Sequence, residues 1–185
     1  MTIPRIAPID PPYAPEVQAD FDKVMRGLPP LKLFRTVARN PRVLSRLMAG
    51  GLLDRGSVSL RLRELVILRT TALCGAEYEW GVHVAAYGAK AQWTPEEVRS
   101  TVRGGPDDDC WSRSESLAIR LCDSLHESRD VDDALWAELA SVFAEDQLIE
   151  LIMLAGNYTS IAYFLRATRV ELEKSAPRFP PRTDV

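Results

Sequence analysis

The sequence predicts an all-α fold, and three observations carry that prediction. Apolar residues recur at spacings of three and four through most of the chain. Recognisable start and stop signals bracket those runs. No segment alternates convincingly with period two, and the Asn-Gly and Asp-Gly turns of tight hairpins are absent.

The elements follow in order. Five of the 13 prolines lie between Pro4 and Pro15, and proline fixes φ and holds its predecessor extended, so residues 1–14 read as a non-helical arm. Ile3, Ile6, Ile9 and Tyr13 on that arm are expected to pack on the domain or on a neighbouring subunit. Pro15 suits a first helical turn, followed by Val17, Phe21, Val24 and Met25 at helical spacing up to Gly27. Asn40-Pro41 is an N-cap and N1 pair opening a helix that closes at Gly50-Gly51. Ser59 caps a helix running through Glu64 to Leu73, Gly75 breaks it, and a second helix spans about Tyr78 to Lys90. Thr94-Pro95-Glu96-Glu97 is a capping box, and Gly104-Gly105-Pro106 with three aspartates is a loop. Helices over Ser114–His126, Asp133–Phe143 and Asp146 to about Glu173 complete a single helical bundle over residues 15–174. The proline-bearing tail, 175–185, is expected to be partly disordered.

Composition narrows the function. A chain of 185 residues with 46% hydrophobic and 26% charged residues suits one globular domain. A net charge of −3 with no Lys/Arg run gives nucleic acid nothing to bind. No apolar stretch is expected to approach the roughly 20 residues of a membrane span, and the prolines after Met1 take the place of a signal peptide's apolar core. Cys74, Cys110 and Cys122 are too few and too scattered for a disulfide framework, so reduced thiols and a cytoplasmic location are expected.

Two segments carry chemistry. On a helix, Glu64 shares a face with Leu60, Ile67, Leu68 and Thr71. A carboxyl in an apolar stripe is costly unless partnered or protonated, and burial raises its pKa toward the range useful for proton transfer. The plainer reading is a Glu at the stripe's edge, paired with Arg61 or Arg63. On the next helix Glu79 and His83 are neighbours at i, i+4, flanked by Trp80 and Tyr87, an arrangement in which the carboxylate sets the imidazole's tautomer or charge. Its plainer reading is a satisfied core histidine among packing aromatics. Glu64, Glu79 and His83 do not make a known metal motif, and no metal or cofactor is expected. His126, four residues past Cys122, reads as structural. Phosphate loops and nucleophile elbows are missing.

The run Arg61-Leu62-Arg63-Glu64-Leu65-Val66-Ile67-Leu68-Arg69, then Glu77-Tyr78-Glu79-Trp80-Gly81-Val82-His83 and Thr94-Pro95-Glu96-Glu97-Val98, resembles the carboxymuconolactone decarboxylase family, which includes the alkylhydroperoxidase D-like proteins. The resemblance implies an all-helical domain of the alkylhydroperoxidase D-like type, assembled as trimers or as hexamers of trimers. In the peroxidase branch a Cys-x-x-Cys opens the second helix; those positions here are Ala76 and Glu79, so dithiol chemistry is not expected. Glu79-x-x-x-His83 resembles the decarboxylase branch instead. That implies a cofactor-independent lyase acting on a small carboxylated or enolisable molecule. Glu64 would donate or shuttle the proton, while His83, charged by Glu79, would contact the dienolate. Tyr78, Trp80 and Tyr87 would shape the pocket, and Arg69 is the nearest candidate for the substrate carboxylate. Two alternatives stand beside it: a non-catalytic oligomeric descendant, and thiol peroxidase activity through Cys74. The apolar run from Leu148 to Leu165 must be covered on all sides, which points to a homo-oligomer.

Overall fold

The computed structural model describes residues 3–49 and 51–181. Among these there are nine helices and no strand: α1 (Pro15–Met25), α2 (Lys32–Val37), α3 (Pro41–Ala49), α4 (Leu60–Leu73), α5 (Glu77–Tyr87), α6 (Pro95–Arg103), α7 (Arg113–Glu127), α8 (Asp133–Ala140) and α9 (Glu145–Thr168). The expected caps are present. Ser59 Oγ accepts from the N–H of Leu62, Asn40 Oδ1 accepts from Val43, and Thr94 and Glu97 exchange both bonds of a capping box. A second capping box, Ser112 with Glu115, opens α7 one residue earlier than the sequence suggested. Gly50, expected with Gly51 to close α3, lies outside the described residues, as do 182–185 of the tail.

Helix α4 is the axis of the bundle. Nine consecutive residues from Arg63 to Thr71 are buried, because α5, α6, α7 and α9 surround it. The main core joins Leu65, Val66 and Ile67 to Leu117, Leu121, Leu139, Leu151, Leu154 and Tyr158. A second core gathers Val17, Phe21, Leu33, Val37 and Leu44 around Tyr78 and Leu165, and Ile161 of α9 packs against both.

Five expectations change. Helix α2, which the sequence reading leaves out, is a short element buried through Leu33, Thr36 and Val37. Helix α9 ends at Thr168, five residues before the expected Glu173, with Arg169 after it in a left-handed turn with φ of 55°. With 24 residues, α9 is also long and apolar enough, by length and composition, to cross a membrane; here it buries Leu148, Leu151, Leu154, Ala155, Tyr158 and Leu165 in the two cores. The tail up to residue 181 is docked rather than disordered. Phe179 meets the edge of Trp80 at 5.3 Å, its N–H donates to Glu77, and Arg103 donates to the carbonyl of Pro180. The N-terminal arm is likewise pinned: Ile9 exchanges hydrogen bonds with Arg35, and Tyr13 packs edge-on against Phe21. Ile3 and Ile6, expected to be covered, are exposed.

Candidate functional site

Helices α4 and α5 are joined by the turn at Cys74-Gly75-Ala76, and they bring Glu64, Glu79 and His83 together. Gly75 takes φ of 63°, where a side chain would be strained, and lets the chain reverse. His83 Nδ1 donates to Glu64 Oε2 at 2.7 Å, and His83 Nε2 lies 3.5 Å from Glu79 Oε1. One imidazole therefore bridges two carboxylates. All three residues are covered, with exposures of 1% for Glu64, 4% for His83 and 5% for Glu79.

Burial works against a charged imidazole, but the hydrogen bonds to Glu64 and Glu79 and their negative charges outweigh it. His83 is raised to a pKa of about 9 and carries the proton at neutral pH. Glu64 is also held by Arg63, whose Nε and Nη2 both donate to Oε1, at 3.0 and 2.8 Å. Arg63 is itself buried, and its Nη1 donates to the carbonyl of Leu53. Two acidic and two basic side chains thus balance in a low-dielectric space, which is the condition for keeping charge buried.

The glutamates differ in one respect. Glu64 accepts three hydrogen bonds, so both of its oxygens are engaged. Oε2 of Glu79 is buried with no hydrogen-bond partner among the described residues. A buried carboxylate oxygen without a donor is expensive, and it marks the place where a ligand donor, a water or a substrate proton would be welcome.

Of the other expected site residues, only Tyr87 joins the cluster, stacked on His83 at 5.4 Å. Positions 79, 83 and 87 share one face of α5, whereas 78 and 80 splay to either side. The Tyr78 hydroxyl donates to Glu173 and accepts from the N–H of Leu33, fastening α5 to α2 and the tail. Trp80 Nε1 donates to Thr101 of α6, and its ring meets Phe179. Arg69 is taken by Asp123 through Nε and Nη2, at 2.6 and 2.9 Å, and by the carbonyl of Gly104, so it is a structural arginine. Arg61 is committed to Glu97 and Glu115.

Two residues complete the wall. Tyr158 of α9 meets His83 edge-on at 5.1 Å, and Arg63 lies 5.3 Å from the Tyr87 ring. For the first, the sequence offered only a loose family likeness around Asn157-Tyr158 in the apolar run of α9. Arg63 was visible only as one possible partner of Glu64, because adjacent helical residues do not ordinarily face each other. At the outer side of Tyr87, exposed Lys90 lies 5.7 Å from the ring centre. No group of three or more metal-binding side chains occurs among the described residues.

Residues 41–119 match the Carboxymuconolactone decarboxylase family. No curated protein matches the sequence. Among solved structures, an uncharacterized peroxidase-related protein from Silicibacter sp. TM1040 is 19% identical, with a TM-score of 0.77 over 94% of this chain and 96% of that one. The alkylhydroperoxidase AhpD core of a peroxidase-related protein from Ralstonia eutropha JMP134 is 12% identical, with a TM-score of 0.77 over 91% and 93%. The debrominase Bmp8, in complex with 2,3,4-tribromopyrrole, is 17% identical, with a TM-score of 0.74 over 92% of each chain. The segment that matches the carboxymuconolactone decarboxylase family holds Glu64, Glu79 and His83, and the helical fold around it is similar to that of the AhpD-type structures.

Proposed function

We propose that the protein is a cofactor-independent enzyme that moves a proton on a small carboxylated or enolisable substrate, in the manner of a carboxymuconolactone decarboxylase. The partnerless Oε2 of Glu79, beside a protonated His83, carries this reading. Loss of CO₂ leaves an electron pair delocalised as a dienolate, which needs an electrophilic contact and then a proton at carbon. His83 supplies the contact and the proton, and Glu79 returns a proton from solvent to the imidazole. Glu64, saturated by Arg63 and His83, orients and charges the ring; this departs from its expected role as proton donor. With Arg69 occupied, Lys90 beside Tyr87 is a cation available to a substrate carboxylate.

The test is an ultraviolet assay of γ-carboxymuconolactone decarboxylation with wild type, Glu79→Gln and His83→Gln. Turnover by the wild type with a loss of at least 100-fold in both variants is expected, the scale of one general acid-base group. Glu64→Gln is a poorer probe, because it strands buried Arg63 and costs roughly 3–5 kcal/mol of stability. Wild-type turnover undiminished in Glu79→Gln would remove Glu79 from the mechanism.

The near-complete burial of the three residues favours a second reading, a structural cluster in a non-catalytic descendant. Small carboxylates and lactones that fail to shift the melting temperature, together with absent turnover, would select it.

A further inference from the structure

A second cluster lies at the far side of the α4–α5 turn. Cys74, the C-cap residue of α4, has its Sγ 3.9 Å from Nδ1 of His126 near the end of α7. These two open onto a surface cavity of about 570 Å³ lined by Leu73, Gly75, Tyr163, Arg166 and Ala167. His126 does not pair with Cys122, which is buried and bonded to Thr70 and to the carbonyl of Val66. The sequence reading of His126 as structural is therefore replaced by a thiol–imidazole pair contributed by two helices.

The rest of the cavity is ordered around that pair. Arg166 Nη1 donates to the carbonyl of Gly75 at 2.7 Å, which fixes an exposed guanidinium on the rim. A Cβ on Gly75 would run into that nitrogen, so the glycine both turns the chain and makes room for the cation. Tyr163 and the aliphatic Leu73 and Ala167 supply an apolar wall. Burial raises the thiol's pKa, while its hydrogen bond with Thr159 and the charge of Arg166 pull the other way, and the net is upward. The resting group is a protonated thiol, so reaction requires a neighbouring base. His126 stands at that position.

We propose that Cys74 and His126 form a thiol-exchange site that takes small disulfides bearing an anionic group, glutathione disulfide being the type. His126 accepts the Cys74 proton, and Sγ attacks one sulfur of the incoming disulfide. The S–S bond breaks as the Cys74 mixed disulfide forms. The departing thiolate collects the proton from His126, so no further oxidant or reductant is consumed. Arg166 faces the ligand's carboxylate, and Tyr163 covers its apolar portion. The site is separate from the Glu64–His83–Glu79 cluster, and its failure leaves that reading intact.

The experiment follows intact mass and peptide maps of the full chain during incubation with glutathione disulfide or with neutral hydroxyethyl disulfide. Wild type, Cys74→Ser, His126→Ala, Arg166→Ala and Cys110→Ser are compared. A single adduct at Cys74 is expected, retained in Cys110→Ser and absent in Cys74→Ser. His126→Ala is expected to slow it at least tenfold at neutral pH, with the remaining rate climbing only in alkali as the thiol ionises by itself. Arg166→Ala is expected to remove the preference for the anionic disulfide over the neutral one. His126 is exposed, so its truncation leaves the core intact. Labelling confined to Cys110, or a Cys74 rate indifferent to His126→Ala, would overturn the proposal.

Discussion

Glu64 and Glu79 flank the same imidazole, yet their other contacts give them different work. Arg63 and His83 saturate Glu64, whereas Glu79 keeps one oxygen free inside the protein. The proton between them resides on His83, and that has a consequence for stability. The folded pKa of about 9 lies above the ordinary histidine value of 6.5, so the native state binds this proton more tightly than the unfolded chain does. The stabilisation is complete below about pH 6.5 and is lost as pH rises through about 9. It is worth roughly 3 kcal/mol at its full extent. Urea melts at pH 6, 8 and 10 are expected to show a steeper loss of stability in wild type than in His83→Gln. Parallel slopes in the two proteins would mean that the imidazole is neutral in the folded state.

At the scale of elements, α5 is a ribbon with three different neighbours. Its 79–83–87 face meets α4 and α9, Tyr78 ties it to α2, and its outer face carries the tail through Trp80 and Gly81. Gly81 is required there, because a Cβ would meet the carbonyl oxygen of Pro177. In an exposed helix Gly→Ala gains about 1 kcal/mol, but a side chain forced against packed backbone costs about 1–3 kcal/mol. Gly81→Ala is thus expected to lower the melting temperature slightly and to speed tryptic cleavage after Arg178, since the Phe179 N–H would lose its bond to Glu77. A stabilised variant with unchanged cleavage would show that the tail yields freely. The sequence disclosed most of the helices, because capping residues such as Ser59, Asn40 and Thr94 act locally. It also disclosed the Glu64–His83–Glu79 grouping, through helical spacing and family resemblance. It hid the fates of Tyr78, Trp80 and Arg69, since those depend on Glu173, Thr101 and Asp123, which lie 95, 21 and 54 residues away. The tail escaped notice for the same reason: its order comes from Trp80 and Arg103, and nothing local to its prolines announces them.

At the scale of the whole molecule, helix α9 carries apolar surface that the described residues leave uncovered. Only 39% of the most apolar 18-residue window of α9 is buried, although the helix is apolar nearly all round. Ile149 and Met153, one turn apart, are 64% and 59% exposed. Two large apolar side chains in register on a central helix are costly in water, at about 25 cal/mol for each Å² left uncovered. A second copy of the chain is the occupant expected here, in line with the oligomer anticipated from the apolar Leu148–Leu165 run. Both residues point away from the two cores, so Ile149→Asp with Met153→Lys is expected to leave the helical circular dichroism unchanged while converting the assembly to monomers. Size exclusion with light scattering at micromolar concentration reads the result directly. A monomeric wild type, or a variant that assembles as the wild type does, would assign this stripe to another partner and leave assembly to a different face.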